Sequence, residues 1–214
     1  YYYEELNCAK MLHDLSVPLF EGEEGERGLL PSAEAHIAGK IRKLEEAQGF
    51  ELDGLQKEAV LEAVKSGLMI LTGGPGTGKT TTINTIIRYF AEEGMDIFLA
   101  APTGRAAKRM TEATGMEAQT IHRLLGISFV NEDSRRQSFE RDENNPIEAD
   151  VIIIDETSMV DIGLMQALLR AVERGSRIIF VGDVDQLPSV GPGNVLKDMI
   201  RSGRLNTVRL QHVF

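Results

Sequence analysis

Eight consecutive residues dominate the chemistry this sequence can support. Gly73-Gly74-Pro75-Gly76-Thr77-Gly78-Lys79-Thr80 fits the spacing G-x-x-x-x-G-K-[ST] at every position, the pattern of a phosphate-binding loop. Glycines let successive backbone N–H groups curl round a phosphate without Cβ clashes. A helix opening at the end of the loop adds partial positive charge. In such a loop Lys79 reaches the β- and γ-phosphates of ATP and the Thr80 hydroxyl ligates Mg2+, with Gly74, Pro75, Gly76, Thr77, Gly78, Lys79, Thr80 and Thr81 forming the nucleotide cradle. The competing reading is a Gly-rich turn that happens to precede a lysine-bearing helix. The strand expected before the loop and the helix expected after it argue against coincidence.

Two further polar clusters stand where apolar runs end. Asp155-Glu156 follows Val151-Ile152-Ile153-Ile154, and ligands of open parallel sheets bind beyond the carboxyl ends of the strands. Asp155 suits Mg2+ held through its water shell, and Glu156 suits a water aimed in line at the γ-phosphate. As plain structure, Asp155 would be a helix N-cap and Glu156 a surface carboxylate. In Val181-Gly182-Asp183-Val184-Asp185-Gln186-Leu187-Pro188, Gln186 suits a γ-phosphate sensor and Asp183 a support for the metal shell. The same residues also suit a turn rich in Gly, Asp and Pro.

The elements that must position these groups follow from the apolar pattern. Short apolar runs at 68–71, 96–100, 151–154, 177–181 and 207–210 read as five strands. Helices are expected at 80–90, 103–113, 120–125, 162–172 and 194–201. Continuous apolar strands alternating with helices indicate an α/β domain whose parallel sheet is covered by helices on both faces. Upstream, a short helix is expected from Leu6 to Leu15, and Ile37, Ile41 and Leu44 recur at amphipathic-helix spacing up to Gly49. Another helix starts near Asp53. The acidic, Gly-rich stretch 21–31 reads as a linker. This divides the chain into a helical N-terminal remnant with its linker at 1–50 and an α/β unit at 51–214. The polar stretch 126–149, flanked by Phe129, Val130 and Phe139, reads as an insertion built as a β-hairpin.

Composition narrows the functional classes. The 214 residues carry 33 Asp+Glu and 23 Lys+Arg, a net charge of −10, which argues against a uniformly basic nucleic-acid binder. The excess is uneven: residues 1–66 hold 14 acids and 7 bases, so the remainder is far closer to neutral. Arg105, Lys108, Arg109 and Arg123 lie close together and Arg135-Arg136 form a second small cluster. Solvated helix faces would account for both. The single cysteine, Cys8, excludes an internal disulfide, and the four histidines are too scattered for a metal motif. No apolar run approaches a membrane span, and a cytoplasmic location is the default. The sequence opens on Tyr1-Tyr2-Tyr3 and closes on Phe214, which reads as cuts through a longer protein.

The ordered segments 73–80, 99–108, 120–125, 155–159 and 182–188 resemble motifs I, Ia, Ib, II and III of superfamily 1 DNA helicases. The resemblance is strongest to the RecD-like group, related to the exodeoxyribonuclease V alpha subunit and to TraA-type relaxase helicases. It covers about residues 50–214. It implies a RecA-like phosphate-loop NTPase domain, with the strand leading to Gln186 lying between those leading to Lys79 and Asp155. It implies Mg2+-dependent ATP hydrolysis driving translocation on single-stranded DNA, 5′ to 3′ in this branch, and opening of duplex junctions. Gln56 matches the glutamine that reads adenine, although Asp53 and Gln56 also have capping-box spacing. Pro102, Thr103 and Arg105 match one DNA-contacting loop, and Thr120, His122 and Arg123 a second. His122 also suits a core position, and Arg109 reads as a surface charge. The 126–149 insertion takes the place of the small 1B subdomain, a strand-splitting pin or a plain surface hairpin.

The resemblance further implies a second RecA-like domain, supplying an arginine to the site, and nuclease-complex subunits as partners. Alternatives are a nucleotide-gated DNA-binding module or translocase without strand separation, and an ATPase acting on RNA or protein.

Overall fold

The computed structural model describes residues 1–17, 31–128 and 138–214. All five expected strands are present in one sheet, together with a sixth, and two further short strands pair separately. In chain order the principal elements are α1 (Tyr2–Leu15), α2 (Pro31–Gln48), α3 (Gly54–Lys65), β1 (Leu68–Gly73), α4 (Lys79–Glu92), β2 (Ile97–Ala101), α5 (Gly104–Thr114), β3 (Ala118–Thr120) and α6 (Ile121–Leu125). They continue with β4 (Ile127–Ser128), β5 (Ser138–Phe139), β6 (Val151–Ile154), a 3-10 turn (Thr157–Met159), α7 (Ile162–Ala171), β7 (Arg177–Gly182), α8 (Val195–Arg201) and β8 (Thr207–Leu210).

The main sheet is wholly parallel, in the order β3-β2-β6-β7-β1-β8. β7 therefore lies between β1 and β6, as the resemblance implied. The strand missed from the sequence, β3, has only three residues, Ala118-Gln119-Thr120, all part-buried. It carries no apolar run because it is an edge strand paired on one side only, Leu99 to Ala118 through Ala101 to Thr120.

Period-2 alternation divides the strand side chains between two cores. Leu68, Ile70, Ile152, Ile154, Ile178 and Phe180 face α1, α6, α7 and α8. Met69, Leu71, Ile153, Ile179, Val181 and Val208 face α2, α3 and α4. The division expected at residue 50 runs through both cores. Cys8, Leu12 and Leu15 of α1 are buried in the first, and Ile37, Ile41 and Leu44 of α2 in the second. Helix α5 approaches the sheet closely because its inward face is small: Ala106 and Ala107 pack against Ala101.

Within the 126–149 stretch, β4 and β5 pair antiparallel, Ile127 with Phe139 and Ser128 with Ser138. Phe129, Val130, Arg135 and Arg136 lie outside the described residues, as does most of the expected linker. Among the described residues no helix is long and apolar enough to cross a membrane.

Candidate functional site

The sheet's register gathers every motif along one edge. Gly73 ends β1, Ala101 ends β2, Thr120 ends β3, Ile154 ends β6 and Gly182 ends β7. Because all these strands run parallel, the residues that follow them emerge on the same side, the side where open α/β sheets bind ligands.

The phosphate loop is already curled. Gly76 and Gly78 have φ of 74° and 83°, in the left-handed region that glycine adopts freely. Gly78 is the N-cap residue of α4. Thr77 Oγ1 donates to Gly74 O at 2.8 Å, closing the loop on itself. The Lys79 ammonium donates to Gly73 O at 2.6 Å and to Gly74 O at 2.8 Å. It therefore spans the loop. Thr80 is exposed in the first turn of α4, and its neighbour Thr81 is half-buried. Phe214 N–H donates to Gly76 O at 3.1 Å, so the residues after β8 pass across the loop.

Gln56 is 2% exposed and its side chain makes two hydrogen bonds. Its Oε1 accepts from Asp53 N at 3.0 Å while Asp53 Oδ1 accepts from Gln56 N at 2.8 Å, a complete capping box. Its Nε2 donates to Gly78 O at 3.3 Å, tying α3 to the phosphate loop.

Asp155 continues β6, its N–H donating to Ala100 O of β2 at 2.9 Å. Its Oδ1 accepts from Glu156 N at 2.8 Å. Burial raises its pKa, partly offset by that backbone hydrogen bond. Neither carboxylate oxygen has a cationic side chain within salt-bridge distance among the described residues, so a divalent cation fits the charge balance at this atom. Thr80 and Asp155 are the residues present that would hold it.

Glu156 is the only non-glycine residue with positive φ among the described residues, at φ 52° and ψ 39°. Such a backbone costs on the order of 1–3 kcal/mol and is concentrated at functional positions. It turns the chain from β6 into the 3-10 turn within one residue. Glu156 Oε1 then accepts from Arg109 Nη2 of α5 at 3.0 Å. Arg109 is exposed, as expected of a surface charge, and is in addition paired with Glu156, a contact that spacing along the chain does not announce.

Asp183 is buried at the end of β7, and its Oδ1 accepts from Asp185 N at 3.0 Å. Gln186 follows in an exposed turn, its N–H donating to Asp183 O at 3.2 Å. Arg209 of β8 pairs with Asp185 at 3.2 Å, linking the sheet edge to that turn.

The two candidate DNA segments are neighbours in space, because Ala101 pairs with Thr120. Pro102 and Thr103 are half-buried and Arg105 is exposed. Thr103 Oγ1 caps α5 by accepting from Ala106 N, and Thr120 Oγ1 caps α6 by accepting from Arg123 N, both at 3.2 Å. Each hydroxyl keeps its own proton to donate. His122 is half-buried, its ring 6.0 Å from that of Phe139, and Arg123 is exposed. Cys8 takes no part, since burial pushes its thiol pKa up to about 11.

Comparison with known proteins identifies the family. A family profile described as an AAA domain matches residues 56–192. The ATP-dependent RecD2 DNA helicase of Deinococcus radiodurans is 42% identical over 179 residues, which is 83% of this chain and 23% of that protein. The RecBCD enzyme subunit RecD of Mycolicibacterium smegmatis is 42% identical over 175 residues, 71% of this chain and 30% of that protein. The chain thus spans under a third of the length of these relatives. Among solved structures, the Pif1 helicase of Candida albicans superposes with a TM-score of 0.56 at 22% identity, covering 77% of this chain and 40% of that one. The last likeness is one of fold. The chain belongs to the AAA-domain family of that profile and is similar to proteins named RecD2 and RecD.

Proposed function

We propose that this chain is the first motor domain of an ATP-dependent DNA helicase acting in the cytoplasm, coupling ATP hydrolysis to 5′-to-3′ movement on single-stranded DNA and to duplex opening. The observation that carries the reading is the adjacency along one sheet edge of a Lys79 phosphate cradle, the Asp155–Glu156 pair and the Pro102–Arg105 loop. The relatives named ATP-dependent RecD2 DNA helicase and RecBCD enzyme subunit RecD support it.

In this reading the cradle from Gly74 to Thr81 surrounds the phosphates, and Lys79 exchanges its loop carbonyls for β- and γ-oxygens. Gln56 meets the adenine edge while remaining anchored to Asp53. Thr80 and Asp155 would hold Mg2+, which would supply neutralisation of the triphosphate's negative charge. Glu156 accepts a proton from water as the water oxygen bonds to the γ-phosphorus and the bond to the ADP oxygen breaks. Gln186 hydrogen-bonds the γ-phosphate and registers its loss. A second RecA-like domain supplies the arginine that completes charge stabilisation. Thr103, Arg105, Thr120, His122 and Arg123 contact DNA phosphates and sugars, carrying no base information. The β4–β5 pair roots the small insertion beside the DNA path. Where the protein works within a nuclease complex, further subunits join this motor.

The test is the two-motor protein assayed for ATPase with and without single-stranded DNA, and for unwinding of a 5′-tailed duplex. DNA-stimulated hydrolysis with unwinding is expected. Stimulation without unwinding would make it a translocase or nucleotide-gated binder, and preferential stimulation by RNA would move it to a different substrate class.

A further inference from the structure

Helix α5 connects the candidate DNA loop to the candidate hydrolytic residue. Its N-cap is Thr103, inside the Pro102–Arg105 segment, and its second turn presents Arg109 to Glu156. Arg105 and Arg109 are four residues apart and therefore share a face, about 6 Å apart along the helix axis. Ala106, Ala107 and Met110 fill the opposite, buried face. A phosphate held at Arg105 consequently lies within reach of the Arg109 guanidinium as well.

The pair is asymmetric. The Arg109 side chain is 62% exposed and that of Glu156 21%. An arriving anion can reach the arginine without first displacing the carboxylate. The carboxylate, in turn, is held by a constrained backbone: with φ at 52°, Glu156 projects from a fixed turn between β6 and the 3-10 turn. While the ion pair stands, Oε1 is committed to the guanidinium and the side chain is drawn toward α5.

We propose that Arg109 is a positioning residue that restrains Glu156 in the absence of DNA, and that a DNA backbone phosphate at the start of α5 draws the guanidinium away and frees the carboxylate for water. This rests on the helicase reading above. It gives that reading a local route by which DNA accelerates hydrolysis: exchange of one ion pair for another. An exposed ion pair is weak, so the restraint is of the size that a single phosphate can outcompete, corresponding to about two- to fivefold in rate.

The experiment compares wild type, Arg109→Gln, Arg109→Lys and Lys108→Gln in the two-motor protein, by steady-state ATPase without DNA and at saturating oligo-dT. Arg109→Gln is expected to lower the DNA stimulation ratio by about two- to fivefold, the loss coming from a faster DNA-free rate. Arg109→Lys, which keeps a cation at that site, should recover part of the ratio. Lys108, 80% exposed and paired with Glu112, provides the control whose ratio stays at the wild-type value. A DNA-free rate in Arg109→Gln that is unchanged, or that falls in step with the DNA-bound rate, overturns the proposal. If wild type itself shows no DNA stimulation, the helicase reading fails first and takes the proposal with it. Stimulation that is present in wild type and unaltered in Arg109→Gln leaves the helicase reading standing and removes only the Arg109 restraint.

Discussion

Alanine at Gly76 and at Gly78 separates backbone strain from side-chain crowding within the same loop. Both glycines have left-handed φ, 74° and 83°, so each alanine variant incurs a similar conformational cost of about 1–2 kcal/mol. Part of that is recovered because alanine restricts the unfolded chain, by about 0.4–1 kcal/mol. The two sites differ in what a Cβ would meet. At Gly76 the nearest neighbour is Val213 Cγ1 at 3.6 Å, an ordinary contact. At Gly78 the new atom would overlap Gln56 Nε2 and lie 3.3 Å from Phe214 Cε2.

Gln56 is buried and held by the capping box, so its amide cannot swing aside without breaking bonds. The Gly78 variant should therefore also lose the Gln56–Gly78 hydrogen bond, about 0.5–1.5 kcal/mol, and weaken the α3 cap by a comparable amount. Gly78→Ala is expected to be less stable than Gly76→Ala by about 1–3 kcal/mol. At about 2–4 °C per kcal/mol for a chain of this size, the two melting temperatures should differ by roughly 2–12 °C. Thermal and urea melts without nucleotide measure the difference, and a Gln56→Ala background should erase most of it. Equal melting temperatures for the two variants would refute the argument that Gln56 rigidly braces the phosphate loop.

Other expectations concern the chemistry. Glu156→Gln should retain nucleotide binding, read with a fluorescent ADP or ATP analogue, while turnover falls by two orders of magnitude or more, about 3 kcal/mol of barrier; Lys79→Ala should impair both, and full hydrolysis by Glu156→Gln would remove that residue from the mechanism. Asp155 binds its proton more tightly in the folded chain than its ordinary 3.8, so its ionisation opposes folding as pH rises through the raised value and this penalty vanishes below the ordinary one. Metal-free Asp155→Asn should accordingly melt higher than wild type at neutral pH, by a margin that narrows on acidification, yet gain nothing from Mg2+ with nucleotide; a variant that melts lower at neutral pH contradicts the burial argument. Arg105→Ala and Arg123→Ala should each flatten the slope of log affinity for single-stranded DNA against log salt by about 0.7, the value for one lost phosphate contact. An unchanged slope means that side chain touches no phosphate.

The phosphate loop and the parallel α/β architecture were legible from residues alone. Their signals are local: a fixed glycine spacing, and apolar runs that only a doubly covered sheet can bury. The Asp53–Gln56 capping box was legible for the same reason, since all its partners lie within three residues. Tertiary structure decided the rest. β3 is a strand only because β2 offers it a partner edge, which its own residues do not announce. Residues 1–50 read as a helical remnant with its linker; where α1 and α2 within them bury their apolar faces, on opposite sides of the sheet, only the tertiary structure gives. Arg109 and Glu156 are 47 residues apart in sequence, and their meeting depends on β2 and β6 pairing in register and on one left-handed residue at the strand end. Spacing along a chain records which groups are available; which of them touch is fixed by strand order and register, energies distributed over the whole core.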